Sequence, residues 1–286
     1  NVNTTGNPVN TNESPDLAGN NLIPQQPEEN DSLELGMKST WLDGRMTLNA
    51  NLFFMDYTDM QVTAAVINPV TGQSTLTNTN AGSASINGLE FTANYATSES
   101  GVLTVTGSFL DATYDDFLGP ETNYSNLAGT QWNPCGLGVN GDGTCVGGVF
   151  DYSGNTLPNA PDYTLSVSYK HDFMLNNGAT LTPRIRVTMQ DDTFLTQENR
   201  GDRPAGTNSA SDPGESDFDT QGAYSKIDFS LGYASQDDRW GAELYVNNAT
   251  DEDIKEELAI NGGQNVTFAT YAPSREAGLR LNFSFD

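Results

Sequence analysis

A helix that crosses a bilayer needs about 20 consecutive apolar residues, and no run in this chain of 286 residues approaches that length. Any membrane span must therefore be built of strands, because only helices and closed barrels satisfy their own backbone groups in hydrocarbon. Cations are scarce too: 12 Lys and Arg stand against 38 Asp and Glu, a formal charge of -26. Phosphate repels such a chain, which excludes nucleic acid as a partner. The single histidine, His171, lies within a strand-like stretch and supports no Ser-His-Asp set, and no glycine-rich loop opens a helix. The reading is a protein that is not an enzyme, with no cofactor and no metal. The two cysteines, Cys135 and Cys145, have no histidine near them in sequence, which disfavours zinc. They fit a disulfide closing a short loop in an oxidising compartment, worth at most roughly 3 kcal/mol. The opening residues carry no basic-then-apolar leader, so the expectation is a leader already removed or a start within a longer protein.

What the chain has in quantity is alternation. Its last stretch puts Leu279, Leu281, Phe283 and Phe285 on one face and Gly278, Arg280, Asn282 and Ser284 on the other, since successive strand side chains leave opposite sides. The polar side is too small and charged to fill a dry core. Hydrocarbon on one face and a wet or plugged lumen on the other would suit it, although a soluble sandwich strand shares the pattern. The same period recurs from Leu33 to Met37, Met46 to Phe54, Leu89 to Tyr95, Leu103 to Phe109 and Tyr163 to Tyr169. It returns from Leu181 to Met189, Ile227 to Tyr233 and Trp240 to Val246. About nine antiparallel strands are expected over residues 32–286. Residues 1–31 lack periodicity and read as an extracellular loop or mobile arm. Pro183, which has no ladder donor, is expected beside a bulge or near a rim.

The connections sort the alternatives. Short turns at 42–45, 97–101, 175–178 and 236–239 alternate with long segments at 66–84, 115–161, 196–223 and 249–274. Sandwiches mix loop lengths at both ends, whereas transmembrane β-barrels have short periplasmic turns and long outer loops. The odd strand count makes the first and last strands parallel, so they cannot close on each other, and the chain is expected to be part of a larger barrel. Loop aromatics Trp132, Tyr152 and Phe194 are candidates for stacking on a ligand. Arg200 and Arg203 are candidates for gripping an anion. Arg184, Arg186, Lys226, Asp228, Glu243 and Arg280 project to the polar face and are candidates for contact with whatever fills the lumen. The acidic runs, Asp212 to Asp219 and Asp251 to Glu257, read as solvated loop surface that tilts the preference toward neutral or cationic ligands.

Several stretches, in order, resemble a known family: Glu34-Leu35-Gly36-Met37-Lys38, Phe53-Phe54-Met55-Asp56-Tyr57-Thr58-Asp59, Asn80-Ala81-Gly82, Gly88-Leu89-Glu90, Leu157-Pro158-Asn159-Ala160-Pro161, Asn247-Asn248-Ala249-Thr250-Asp251-Glu252 and Pro273-Ser274-Arg275-Glu276. Together they are similar to the C-terminal barrel of TonB-dependent outer-membrane receptors. The resemblance implies a barrel of about 22 strands around a plug, of which this chain supplies the last nine or so. No plug, coupling box or early strand is visible in it. It further implies active import of a scarce nutrient such as an oligosaccharide, siderophore, cobalamin or haem. The implied partners are a plug, the remaining strands, the TonB complex, outer-membrane lipid and lipopolysaccharide, and the barrel assembly machinery, which would read Phe283 and Phe285. A passive pore or adhesin is the alternative among barrels. A soluble carbohydrate-binding sandwich would instead bury Leu231, Leu244 and Leu281 together in one dry centre.

Overall fold

A computed structural model describes residues 13–15, 22–24, 27–67, 74–80, 82–120, 149–199, 201, 218–261 and 266–284. All its regular structure is antiparallel β. The principal sheet follows one hydrogen-bonded path through β1 (Glu29–Trp41), β2 (Met46–Thr58), β3 (Ser83–Ala96), β4 (Gly101–Asp116), β5 (Tyr163–His171), β6 (Thr180–Gln190), β7 (Tyr224–Ala234), β8 (Trp240–Asn247) and β9 (Glu276–Phe283). Each strand pairs with its neighbours in sequence, and the two-residue segment Phe173–Met174 joins the edge of β6. Among the described residues β1 and β9 each keep one edge without a partner strand.

Local chemistry explains the short turns. Arg45 N donates to Leu42 O across Asp43 and Gly44, which both have positive φ, the conformation a type I′ hairpin demands. At Leu175–Gly178, the Gly178 amide donates to Leu175 O, and Asn177 Oδ1 accepts from Ala179 N. At the β7–β8 turn the Ser235 hydroxyl donates to Asp237, which holds that exposed carboxyl below its ordinary range.

Apolar rows run across neighbouring strands on one face. Leu35, Leu52, Leu89 and Phe109 are in register on β1 to β4, and Pro183, Leu231, Leu244 and Leu279 on β6 to β9. No second sheet covers this face among the described residues: Leu35 is 70% exposed, Leu231 38%, Leu244 56% and Leu281 53%. A sandwich would have buried them, so that alternative falls. The opposite face is polar and lines a trough of about 800 Å³ that crosses from Lys38 on β1 to Thr188 on β6.

At the long-loop end of β2 to β4 the pattern inverts. The outward side is apolar up to Phe54 on β2 but only up to Leu89 and Phe109 on β3 and β4, where Asn87 and Asp111 stand in the Phe54 row, and the next row is Asp56, Ser85 and Thr113. The eight steps from Met46 to Phe54 cover about 27 Å along the strand, and a tilt of 35–45° reduces this to roughly 20 Å, near the height of an apolar band. At the edge of that band and beyond it the strands turn apolar residues inward: Phe53, at the edge, and Ala112 are buried, and Ala84, Tyr114, Phe117 and Tyr152 form a core cluster.

Several boundaries differ from expectation. The first strand starts at Glu29, not Ser32, because Glu29, Asn30 and Asp31 pair with Thr58, Tyr57 and Asp56. These residues are polar on both faces, so alternation could not reveal them. Part of the connection expected at 66–84 is a separate hairpin, Gln61–Ile67 with Ser74–Asn80, and β3 begins six residues before Leu89 becomes its clearest signal. Pro183 lies near the short-turn end of β6, where the ladder to β5 is interrupted at Asp172.

Two motif residues explain each other. Gly88 is directly opposite Phe53, and a Cβ there would lie 2.3 Å from Phe53 Cζ and 2.9 Å from the Phe109 carbonyl. The missing side chain is what lets the ring lie on the strand backbone. Gly88→Val should destabilise the folded barrel by about 1–3 kcal/mol. In chemical unfolding, combining it with Phe53→Ala should cost about 1 kcal/mol less than the sum of the single changes. Strict additivity would mean that the ring does not need this space.

Candidate functional site

The six residues assigned to the polar face all lie there, opposite the apolar rows. Arg184 aligns with Ser230 and through it with Tyr245, Arg186 with Asp228, and Glu243 with Arg280. Five of them, Arg184, Arg186, Asp228, Glu243 and Arg280, line one concavity of about 210 Å³ together with Glu276. Lys226 is on the same face but nearer the long loops, across from Thr188, and does not line it. Arg280 Nη1 donates to Glu243 Oε2, and its guanidinium lies 5.6 Å from the Tyr245 ring centroid. Asp228 accepts from Asn248 N at 2.9 Å, and Glu276 from Asn247 Nδ2 at 2.9 Å. Arg184 and Arg186 are exposed and form no ion pair among the described residues. The concavity thus offers two guanidinium forks, able to hold carboxylates or phosphates bidentately, beside acids that already have partners.

Charge is distributed unevenly. The cations of β1 to β9, Lys38, Lys170, Arg184, Arg186, Lys226 and Arg280, all fall on the polar face by register. That face carries acids in similar number, so the excess of negative charge lies elsewhere, much of it in the connections.

The long connections are stitched together by side chain to backbone bonds. Asp219 is fully buried, accepting from Thr196 Oγ1 and Gly201 N at 2.7 Å each, while its own carbonyl accepts from Leu195 N at 2.7 Å. Asn199 accepts from Thr156 N at 2.6 Å and donates to Thr156 O at 3.0 Å. Asn155 Nδ2 donates to Gln197 O, Asn159 N to Phe194 O, and Lys255 N to Gln221 Oε1. Segments 152–162, 193–201, 218–221 and 255 are joined in this way. Two of the motifs also meet: Arg275 N and Nη2 donate to the Asp251 carboxylate at 2.9 and 3.2 Å, and Asn248, at φ 51, donates to Glu252 O.

Two expectations about loop residues need correcting. Asp219 is not solvated surface, because the network just described encloses its carboxylate. Tyr152 does not offer a free ring face: it is 2% exposed and packs on Phe117, with ring centroids 5.0 Å apart, inside the inward-turned cluster. Phe194 is half-buried in a short pairing of Thr193–Phe194 with Thr220–Gln221. Trp132, Arg200, Arg203, Cys135, Cys145 and Phe285 lie outside the described residues. Sequence reasoning missed the buried network around Asp219 and Asn199. Asn199 and Asn159 take left-handed φ, a conformation asparagine tolerates well, so the residue type is the only signal the sequence offers.

Comparison with known proteins agrees with this architecture. The sequence profile of the TonB-dependent receptor-like β-barrel family matches residues 2–249, while no curated protein matches. Among solved structures, the ferric yersiniabactin uptake receptor FyuA from Yersinia pestis superposes with a TM-score of 0.63 at 20% identity, covering 93% of this chain and 31% of that one. The ferric preacinetobactin receptor BauA from Acinetobacter baumannii gives 0.57 at 14% identity, covering 96% and 32%. The FrpB iron transporter from Neisseria meningitidis gives 0.57 at 15% identity, covering 92% and 32%. The chain spans about a third of the length of these structures. A strand wall with an apolar outer band, a charged inner face and one-sided long loops, matched over most of its length by the family profile, places the chain in the outer membrane as a member of the TonB-dependent receptor-like β-barrel family.

Proposed function

We propose that this chain is the C-terminal wall of an active importer that captures a scarce nutrient at the cell surface and passes it to the periplasm in a TonB-dependent step. The observation that carries the reading is the concavity with Arg184 and Arg186 on the inner face, two cations without ion-pair partners among the described residues beside Asp228, Glu243, Glu276 and Arg280, which have partners. Exposed guanidinium forks on the inside of a barrel suit a removable partner, and a plug carrying carboxylates is the partner this reading needs. Lys226 and Arg280 extend the same row of contacts. The cargo is drawn from siderophore chelates, haem, cobalamin and oligosaccharides. The matched receptors named for ferric ligands favour iron import, whereas the acidic connections favour a cargo that is neutral or cationic overall. Phe194, Trp132, Arg200 and Arg203 are the loop residues assigned to capture. Further partners under this reading are lipopolysaccharide around the outer rim and the barrel assembly machinery at Phe283 and Phe285, and Cys135 and Cys145 form a loop disulfide.

The test uses the full-length receptor. Cells expressing it should accumulate one labelled nutrient from a panel of ferric chelates, haem, cobalamin and oligosaccharides only while the inner membrane is energised and TonB is present, yet bind it in either state. Accumulation independent of both, with steady conductance in a planar bilayer, would establish the passive pore instead. Arg186→Ala should accelerate hydrogen exchange at plug amides facing β6 by about tenfold or more, the value of one charge-assisted hydrogen bond. Unchanged exchange would remove Arg186 from the plug contact without touching the transport result.

A further inference from the structure

The outward face of β5 to β9 is not a uniform band. An apolar groove of about 960 Å³ crosses it, walled by Ile185, Phe229, Leu231 and Leu244 and kept open by the smaller Pro183 and Ala277. Its short-turn end is bordered by Tyr169 and His171, the chain's only histidine. His171 Nδ1 is 3.1 Å from Tyr169 Oη, and its ring stands 4.4 Å from that of Phe173. Opposite His171 in the ladder is Gly101, which is buried. A Cβ on Gly101 would lie 2.6 Å from Thr97 Oγ1, 2.7 Å from Tyr169 Oη and 2.9 Å from His171 Nδ1. Glycine there lets three hydrogen-bonding groups converge at the rim of the lipid-facing surface.

We propose that this groove holds one zwitterionic phospholipid of the periplasmic leaflet, with an acyl chain along the groove and the ester and phosphate oxygens against the Thr97, Tyr169 and His171 group. The occupant follows from position and charge. The groove is continuous with the apolar band, so hydrocarbon already covers it, and the short turns set the polar trio at the depth of the periplasmic headgroups. Hydroxyl and imidazole groups facing a bilayer carry a desolvation penalty unless they are bonded, and lipid ester and phosphate oxygens are the acceptors available at that depth. By register no Lys or Arg of β1 to β9 points outward, so a headgroup that brings its own cation fits better than an anionic one. The one hydrogen bond between Tyr169 Oη and His171 Nδ1 leaves the second imidazole nitrogen for the ligand.

Native mass spectrometry of the full-length receptor in mild detergent tests this, with phosphatidylethanolamine and phosphatidylglycerol added in turn. The expected result is one retained phosphatidylethanolamine per barrel. Retention should fall about tenfold, a change of about 1.4 kcal/mol, in Ala277→Phe, which fills the groove, and in the pair Tyr169→Phe with His171→Leu, which removes polar contacts without filling it. Heat-modifiable gel mobility confirms that each variant is a folded barrel, and the polar pair keeps the test decisive if Ala277→Phe does not fold. Equal retention by the wild type and a folded variant would overturn the site, as would the absence of any retained lipid. Preferential retention of phosphatidylglycerol would overturn the zwitterionic assignment.

Discussion

Leu244→Arg should destabilise the folded barrel by about 2–4 kcal/mol, the penalty for a guanidinium near the bilayer midplane. Leu244 sits in the middle of β8, in register with Leu231 and Leu279, and is 56% exposed although it is apolar. In water such exposure would be a defect, whereas in hydrocarbon it is the condition for stability. The control is Thr106→Arg on the opposite face, where the side chain enters the polar trough and not hydrocarbon. That change should cost clearly less than Leu244→Arg, because a guanidinium in a polar interior keeps hydrogen-bonding partners. Urea unfolding of the full-length protein from lipid vesicles measures both. Equal effects of the two substitutions would mean that the faces do not differ in solvent, and the membrane reading would fail with them.

Asp219→Ala should release the stitched connections on the long-loop side. The carboxylate is enclosed, and its loss leaves at least the Thr196 hydroxyl and the Gly201 amide without that acceptor. Each such group is worth about 1–3 kcal/mol when buried, so local opening should become easier by about 2–4 kcal/mol. Amide exchange at Leu195 and Gly201 should then speed by roughly 30- to 1,000-fold. Asp219→Asn keeps one acceptor oxygen and should fall between. The strands below should keep their protection, because their ladders do not pass through Asp219. Uniform acceleration across β6 and β7 would instead make Asp219 part of the global fold.

These effects separate what could be read directly from what could not. The two faces, the short turns and the strict alternation of short with long connections were legible because strand side chains repeat every second residue and an Asp-Gly pair needs no distant partner. By register the apolar row around Leu244 and the charges Arg184, Arg186 and Arg280 accordingly fall on opposite faces. Residues outside the apolar band were misread for the opposite reason. Glu29 to Asp31 are strand, yet water on both sides removes the period that would mark them. Tyr152 was assigned to a ligand because a loop aromatic looks exposed until the inversion of β2 to β4 is known. Asp219 was assigned to solvent because its neighbours Asp212, Glu215 and Asp217 suggest an acidic run.

By itself the sequence determined a membrane wall of antiparallel strands, its inner and outer faces, and the side on which its long segments lie. All three follow from period-2 patterning and turn chemistry, which act within a few residues. Only the tertiary structure decided where the hydrocarbon band ends, which loop residues are buried, and that Gly101, Tyr169 and His171 meet beside an apolar groove. Those depend on cross-strand register and on partners such as Thr156 with Asn199 or Thr196 with Asp219, whose separation along the chain obeys no period.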